Sequence, residues 1–225
     1  MSSVLFNDRY EAGEVLARFL GSRMSEDSVL VLALPRGGLP VAFPIAKALS
    51  APLDVFLVRK LGVPGHEELA MGAVASGGIR VLNEDVVEHL GISERVIEAV
   101  AREELAELQR REHCYRGERP DPEVIGKRVI LVDDGLATGA SMHAAVRALR
   151  LRQPRAITVA VPVGAADTCD RIRREVDDLV CGATPEPFQS VGGWYQHFGQ
   201  VSDDEVCTLL EQAAQWQTRP VTPTD

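Results

Sequence analysis

The feature that most restricts this chain is a series of short, almost wholly apolar runs, each separated from the next by turn residues and stretches with helical spacing. Val29–Leu34 (VLVLAL), Leu53–Arg59 (LDVFLVR), Val129–Val132 (VILV), Ala156–Val163 (AITVAVPV) and Leu179–Cys181 are too short for buried helices. They also lack the apolar–polar alternation of a half-solvated strand. Strands of this kind are covered on both faces, so helices must lie above and below a mostly parallel sheet. The intervening stretches supply such helices. Leu39–Leu49 has Pro44 near its middle, a disturbance or a late start. Ile92–Tyr115 carries Ile97, Val100, Ala101, Leu105 and Leu108 on one face, and Ala140–Leu151 follows a glycine-containing turn. Asn83 and Ser93 read as N-caps, Met71–Leu82 with Gly77-Gly78 reads as a hairpin, and Ser202-Asp-Asp-Glu205 is a capping box opening a last helix. The expected fold is α/β, a mostly parallel sheet flanked by helices. Ligands of such sheets lie beyond the carboxyl ends of the strands, which singles out the loops there.

Composition narrows the partners. With 225 residues the chain can bury a core without disulfide or metal support. Its 24 Lys and Arg against 33 Asp and Glu give a net charge of −9, which argues against a nucleic-acid partner held through phosphates. A small anion is still compatible, because one loop of backbone amides can hold a phosphate on an acidic protein. The N-terminal Met1–Asp8 lacks a basic start and an apolar stretch, and no run approaches the ~18 apolar residues of a membrane span. Cys114, Cys169, Cys181 and Cys207 match neither a zinc pair nor a redox CxxC. The expectation is a cytoplasmic protein with reduced, mostly buried thiols and no membrane partner.

The most informative stretch is Val129-Ile-Leu-Val-Asp-Asp-Gly-Leu-Ala-Thr-Gly-Ala-Ser141. A hydrophobic strand delivers Asp133 and Asp134 to its end, and a turn of small residues opens a helix. Ala137, Gly139 and Ala140 let the backbone approach a ligand, so that successive N–H groups converge on an anion at a helix N-terminus. Thr138 and Ser141 can add hydroxyl donors. The adjacent carboxylates repel a phosphate; they suit vicinal hydroxyls or a Mg²⁺ ion. Ribose 5-phosphate has both halves. A Walker A loop is excluded, since Gly139 precedes Ala140 rather than Lys, and no GxGxxG is present here.

This stretch resembles the phosphoribosyl pyrophosphate (PRPP) signature of type I phosphoribosyltransferases, and the chain as a whole is similar to their stand-alone bacterial members. The resemblance implies that Asp133 and Asp134 contact the ribose 2′- and 3′-hydroxyls and that Ala137, Thr138, Gly139, Ala140 and Ser141 cradle the 5′-phosphate. Where the hypoxanthine–guanine branch has a basic Asp, this chain has Ala137, as in adenine-type members, so no purine-deprotonating role is assigned there.

Two further loops fit that frame. Leu34-Pro-Arg-Gly-Gly38 ends the first strand; Arg36 offers a planar cationic fork, and Gly37 and Gly38 allow positive φ or close approach. The family grips pyrophosphate with a loop at this place. Arg59-Lys60 begins a Gly/Pro-rich segment similar to the family's flexible loop, with both cations candidates for pyrophosphate. His66 in that loop has no evident partner, and Ala70 breaks an HExxH pattern. The resemblance further implies a core over 1–185 with the flexible loop at about 60–72, a C-terminal hood and helix over 186–217, and a frayed tail over 218–225. Phe188, Trp194 and Tyr195 are either core or a hood lying against a planar acceptor.

The expected activity is transfer of the 5-phosphoribosyl group from Mg-PRPP to a nitrogenous base, with Mg²⁺ near Asp133 and Asp134 and with Arg36, Arg59 and Lys60 neutralising the leaving pyrophosphate. The alternative is a non-catalytic PRPP- or nucleotide-binding regulator; a third reading is hydrolysis of a phosphorylated sugar. The expected partners are small molecules, and a homodimer is compatible with the family while the sequence leaves the oligomer open.

Overall fold

The computed structural model describes residues 4–21 and 28–217. Five parallel strands form the central sheet: β1 (Val29–Ala33), β2 (Leu53–Val55), β6 (Arg128–Val132), β7 (Ala156–Val163) and β8 (Asp178–Ala183). Their order is β2-β1-β6-β7-β8. In-register pairs such as Leu32 with Leu131 and Ala33 with Val132 carry the β1–β6 ladder to its end. All eight residues of β7 are buried, as a central strand covered on both faces requires.

Alternate residues of β1 serve different cores. Leu30 and Leu32 join one cluster with Met142 and Val146 of α5 (Ala140–Leu151), whereas Val31 and Ala33 join the other with Leu39 and Ile45 of α2 (Gly38–Ala48). The second cluster also takes in α1 (Arg9–Gly21), α4 (Glu94–Arg116) and α7 (Asp203–Gln217) through Leu16, Leu108 and Leu210. In α4, Ile97, Ala101 and Leu108 are buried and Val100 and Leu105 half-buried, which is the face the spacing predicts. Asn83 and Ser93 stand at the N-cap positions of α3 (Glu84–Leu90) and α4, but neither side chain makes a capping bond. Ser202 does, accepting from the Glu205 amide at 3.1 Å.

Two expectations need correcting. The predicted strand Leu53–Arg59 is two strands, because Phe56 and Leu57 leave the parallel sheet after β2 and lead into β3 (Val58–Val63). The segment 60–72, expected as a loop, is built into a separate antiparallel sheet of β3, β4 (His66–Ala75) and β5 (Ile79–Leu82). Its turn is confined to Pro64-Gly65, where Gly65 has φ +80°, and burial of Leu61, Val63, Met71 and Val74 anchors the ribbon in the core.

Helix α6 (Ala166–Arg173) and the short 3₁₀ turn Gly192–Trp194 complete the chain. The tail 218–225 lies outside the described residues. All four cysteines are thiols; Cys169 is buried but Cys114 is exposed. Among the described residues no helix is long and apolar enough to cross a membrane.

Candidate active site

The strand order reverses direction between β1 and β6: from β1 the chain moves outward to β2, from β6 outward to β7 and β8. A crevice opens at the carboxyl ends of strands at such a point. Here the two ends carry Pro35–Gly38 and Asp133-Asp134, the loops singled out by the sequence.

These loops touch at glycine. A Cβ on Gly37 would stand 2.1 Å from Asp134 Oδ2, and one on Gly38 2.6 Å from the Val132 carbonyl oxygen. Gly37 has φ −61° and ψ −31°, an ordinary helical conformation, so the glycines serve close approach and not the positive φ also allowed from sequence. The loop is tied to β6 by the Leu34 amide, which donates to the Val132 carbonyl at 2.8 Å. The peptide between Pro35 and Arg36 is cis.

Beyond the aspartates the turn is held from outside. Leu136 exchanges bonds with the end of β7, its amide donating to Val163 O at 2.9 Å and its carbonyl accepting from the Ala165 amide at 2.8 Å. Thr168 Oγ1 donates to the Ala137 carbonyl at 2.8 Å. Gly139, the N-cap of α5, has φ +76°, and a Cβ there would also meet the Thr168 methyl at 2.6 Å. Past Leu136 this scaffolding engages carbonyls and leaves amides free. Among the described residues the N–H groups of Thr138, Gly139 and Ser141 have no acceptor, while Ala137, Thr138, Ala140 and Ser141 are exposed. Free amides at the N-terminus of a twelve-residue helix can receive an anion.

The predicted cations divide. A cavity of about 110 Å³ is lined by Leu34, Pro35, Arg59, Asp133 and Ser141, together with Arg111, which the sequence did not single out. Arg59 pairs with Glu104 and Arg111 with Glu107 at 2.8 Å. Hydrogen bonds from Arg110 and Arg111 hold the Glu107 carboxyl down at about 2, so it stays ionised. Lys60 is not in this group: successive residues of a strand face opposite ways, and it lines a neighbouring cavity of about 460 Å³ with Ser141, His143 and Arg147. Lys60 pairs there with exposed Glu68 at 3.6 Å. Arg36 is loosely paired with Asp203 at 3.8 Å.

The two aspartates are held differently. Asp133 Oδ1 accepts from the Asp134 amide at 2.8 Å, and the surrounding protein, followed by the charge of Asp134, pushes the Asp133 carboxyl well above the usual range. Asp134 is also pushed up by burial, but Arg9 opposes this, its Nε and Nη2 each 2.9 Å from Oδ2. Arg9, at the start of α1, was not foreseen; nothing in its local sequence separates it from a solvated helix residue.

Of the two aromatic readings, packing in the core is the one found for Trp194 and Tyr195. Trp194 and Tyr195 are only 8% and 5% exposed, packed with Phe6, Ala12 and Val163, so neither offers a face to an acceptor; Phe188 is half-buried against the same group. Tyr195 instead donates its hydroxyl to the Asp134 carbonyl at 2.6 Å. The accessible ring is Phe198, 37% exposed. It lines a third cavity with Arg9, Arg36, Gly37 and Asp134.

Comparison with known proteins gives the family. Residues 9–189 match the phosphoribosyl transferase domain, and the chain belongs to that family. The five-stranded parallel sheet flanked by helices is the architecture expected from the sequence. Over 209 residues, 93% of this chain, it is 47% identical to "Putative phosphoribosyl transferase Rv0571c" of Mycobacterium tuberculosis H37Rv and equally to its counterpart in strain CDC 1551. The match covers 47% of those proteins, so the chain spans about half the length of the curated relatives it matches. The crystal structure of TT1426 from Thermus thermophilus is similar with a TM-score of 0.83 and 40% identity, covering 92% of this chain and 98% of that one.

Proposed function

We propose that this chain binds PRPP as its Mg²⁺ complex and transfers the 5-phosphoribosyl group to a nitrogenous acceptor, with release of pyrophosphate. One observation carries the reading: Asp133, Arg59, Arg111 and Ser141 line one cavity at the β1/β6 crevice, and the free amides of 138 and 139 lie in the turn that leads into Ser141. A phosphate, a diol and a second anionic group on one small ligand would satisfy all three.

The amides and the N-terminus of α5 would hold the 5′-phosphate. Asp133 and Asp134 would accept hydrogen bonds from the ribose hydroxyls and favour positive charge developing at C1 as pyrophosphate departs. Arg36, Arg59 and Arg111 would bind the leaving group. Glu104, Glu107 and Asp203 keep these side chains oriented until a more highly charged anion displaces them. Lys60 would reach the same anion only from the neighbouring cavity.

Mg²⁺ keeps several waters and binds through one or two carboxylates plus substrate phosphates. Asp133 and its sequence neighbour Asp134 supply such carboxylates, and no cluster of three or more metal-binding side chains exists among the described residues. The ion is therefore read as a passenger on PRPP, supplying charge neutralisation to the pyrophosphate. With Ala137 in the turn, no purine-deprotonating role is assigned to that position.

Incubation with Mg-PRPP and a panel of purines, pyrimidines and pyridines, with pyrophosphate release followed, tests the proposal. Acceptor-dependent release is expected. Saturable PRPP binding with no release across the panel would instead favour the regulator, and absence of PRPP binding would overturn the site.

A further inference from the structure

We propose that Arg9 is a positioning residue for the sugar site, acting through Asp134. The inference rests on the PRPP reading and extends it to a residue outside the signature stretch. Arg9 lies 125 positions from Asp134 in the chain, yet its side chain is only 11% exposed and all three of its guanidinium nitrogens are engaged. Nε and Nη2 converge on Asp134 Oδ2 at 2.9 Å each, Nη1 donates to the Gly199 carbonyl at 2.8 Å, and the guanidinium carbon sits 3.7 Å above the Phe198 ring. Gly37 makes room for the same oxygen, since a Cβ there would stand 2.1 Å from Oδ2. Tyr195 holds the Asp134 backbone.

Such redundancy is unnecessary for a solvated surface pair. Exposed ion pairs contribute little and need no stacking partner. Here α1, the 198–199 segment, the Pro35–Gly38 loop and the end of β6 all converge on one carboxylate. Both Arg9 nitrogens go to Oδ2, which leaves Oδ1 outside the ion pair and turned by it into one orientation. A planar guanidinium does this; an ammonium cannot reproduce both the fork and the stack. Arg9 thus presents one oxygen of Asp134 to a sugar hydroxyl, while the phosphate cradle at 137–141, held by Leu136 and Thr168, does not depend on Arg9.

That separation gives the test. Calorimetric titration with ribose 5-phosphate and, separately, with inorganic phosphate is carried out on the wild-type chain, R9M, R9K, D134N and the R9M/D134N pair. R9M is expected to weaken ribose 5-phosphate by ~10-fold, the scale of one charge-assisted contact, and to leave inorganic phosphate within ~2-fold. R9K should recover part of the loss. The double variant should bind no worse than D134N alone, because residues acting through one another are not additive. Unchanged ribose 5-phosphate binding in R9M, equal loss of both ligands, or additive effects in the double variant would overturn the role of Arg9. A wild-type chain that binds inorganic phosphate but not ribose 5-phosphate would overturn the sugar reading itself, and the proposal with it.

Discussion

At the scale of single residues, the site depends on atoms that are missing as much as on those present. Gly37 abuts Asp134 Oδ2 at a distance no methyl group tolerates, and that oxygen cannot swing away because Arg9 holds it. Gly37→Ala should therefore displace the Asp134 carboxylate and lower PRPP affinity by at least ~10-fold, with the melting temperature little changed; equilibrium binding and thermal melts check both halves. The sequence made Gly37, Gly38 and the acidic pair legible, since small residues after a buried strand have few other uses. It could not show which property of glycine mattered. Arg9 and Arg111 were illegible for a different reason. Only the packing of α1 against a distant strand end gives Arg9 its partner Asp134, and only the packing of α4 brings Arg111 to the crevice. Trp194 and Tyr195 were legible as a cluster but ambiguous in task, because an aromatic side chain fills a core as readily as it lines a pocket.

At the scale of elements, apolar runs identified the parallel strands well, because burial on both faces leaves little choice of residue. The ribbon β3–β4 was missed for the opposite reason. Lys60, Gly62, Pro64, His66, Glu67 and Glu68 spell a solvated loop, and the exposed half of the ribbon is solvated; only Leu61, Val63, Met71 and Val74 commit it to a sheet. A consequence is that Arg59 and Lys60, adjacent in sequence, face different cavities. The end of α4 shows how a long charged helix is fixed. Buried Arg116 bonds Asp54 at 2.9 Å, the Val55 carbonyl at 2.7 Å and Asp121 at 3.0 Å, which locks the helix to β2 and keeps Arg111 over the crevice. None of those partners can be inferred from helical spacing.

At the scale of the whole molecule, the crevice is held at a cost to stability. Asp133 has its carboxyl pushed well above the usual range by its surroundings and by Asp134. A carboxylate raised in the folded state binds its proton more tightly there than in the unfolded chain. Stability therefore falls as pH rises from the ordinary carboxylate pKa of ~3.9 through the raised value. Asp133→Asn removes that penalty. It should raise the melting temperature at pH 8 by ~2–4 °C, with the difference closing as pH is lowered below ~4, while PRPP binding is lost. Thermal melts across pH check the sign. The central claim is that the amides of the 138–141 turn receive the phosphate of a phosphorylated ribose at the β1/β6 crevice. The most direct test is the amide nitrogen–proton NMR spectrum of the labelled chain titrated with ribose 5-phosphate. Saturable shifts concentrated at Thr138, Gly139 and Ser141, with smaller ones at Gly37 and Asp133, are predicted; saturation with those three amides unmoved would contradict the account.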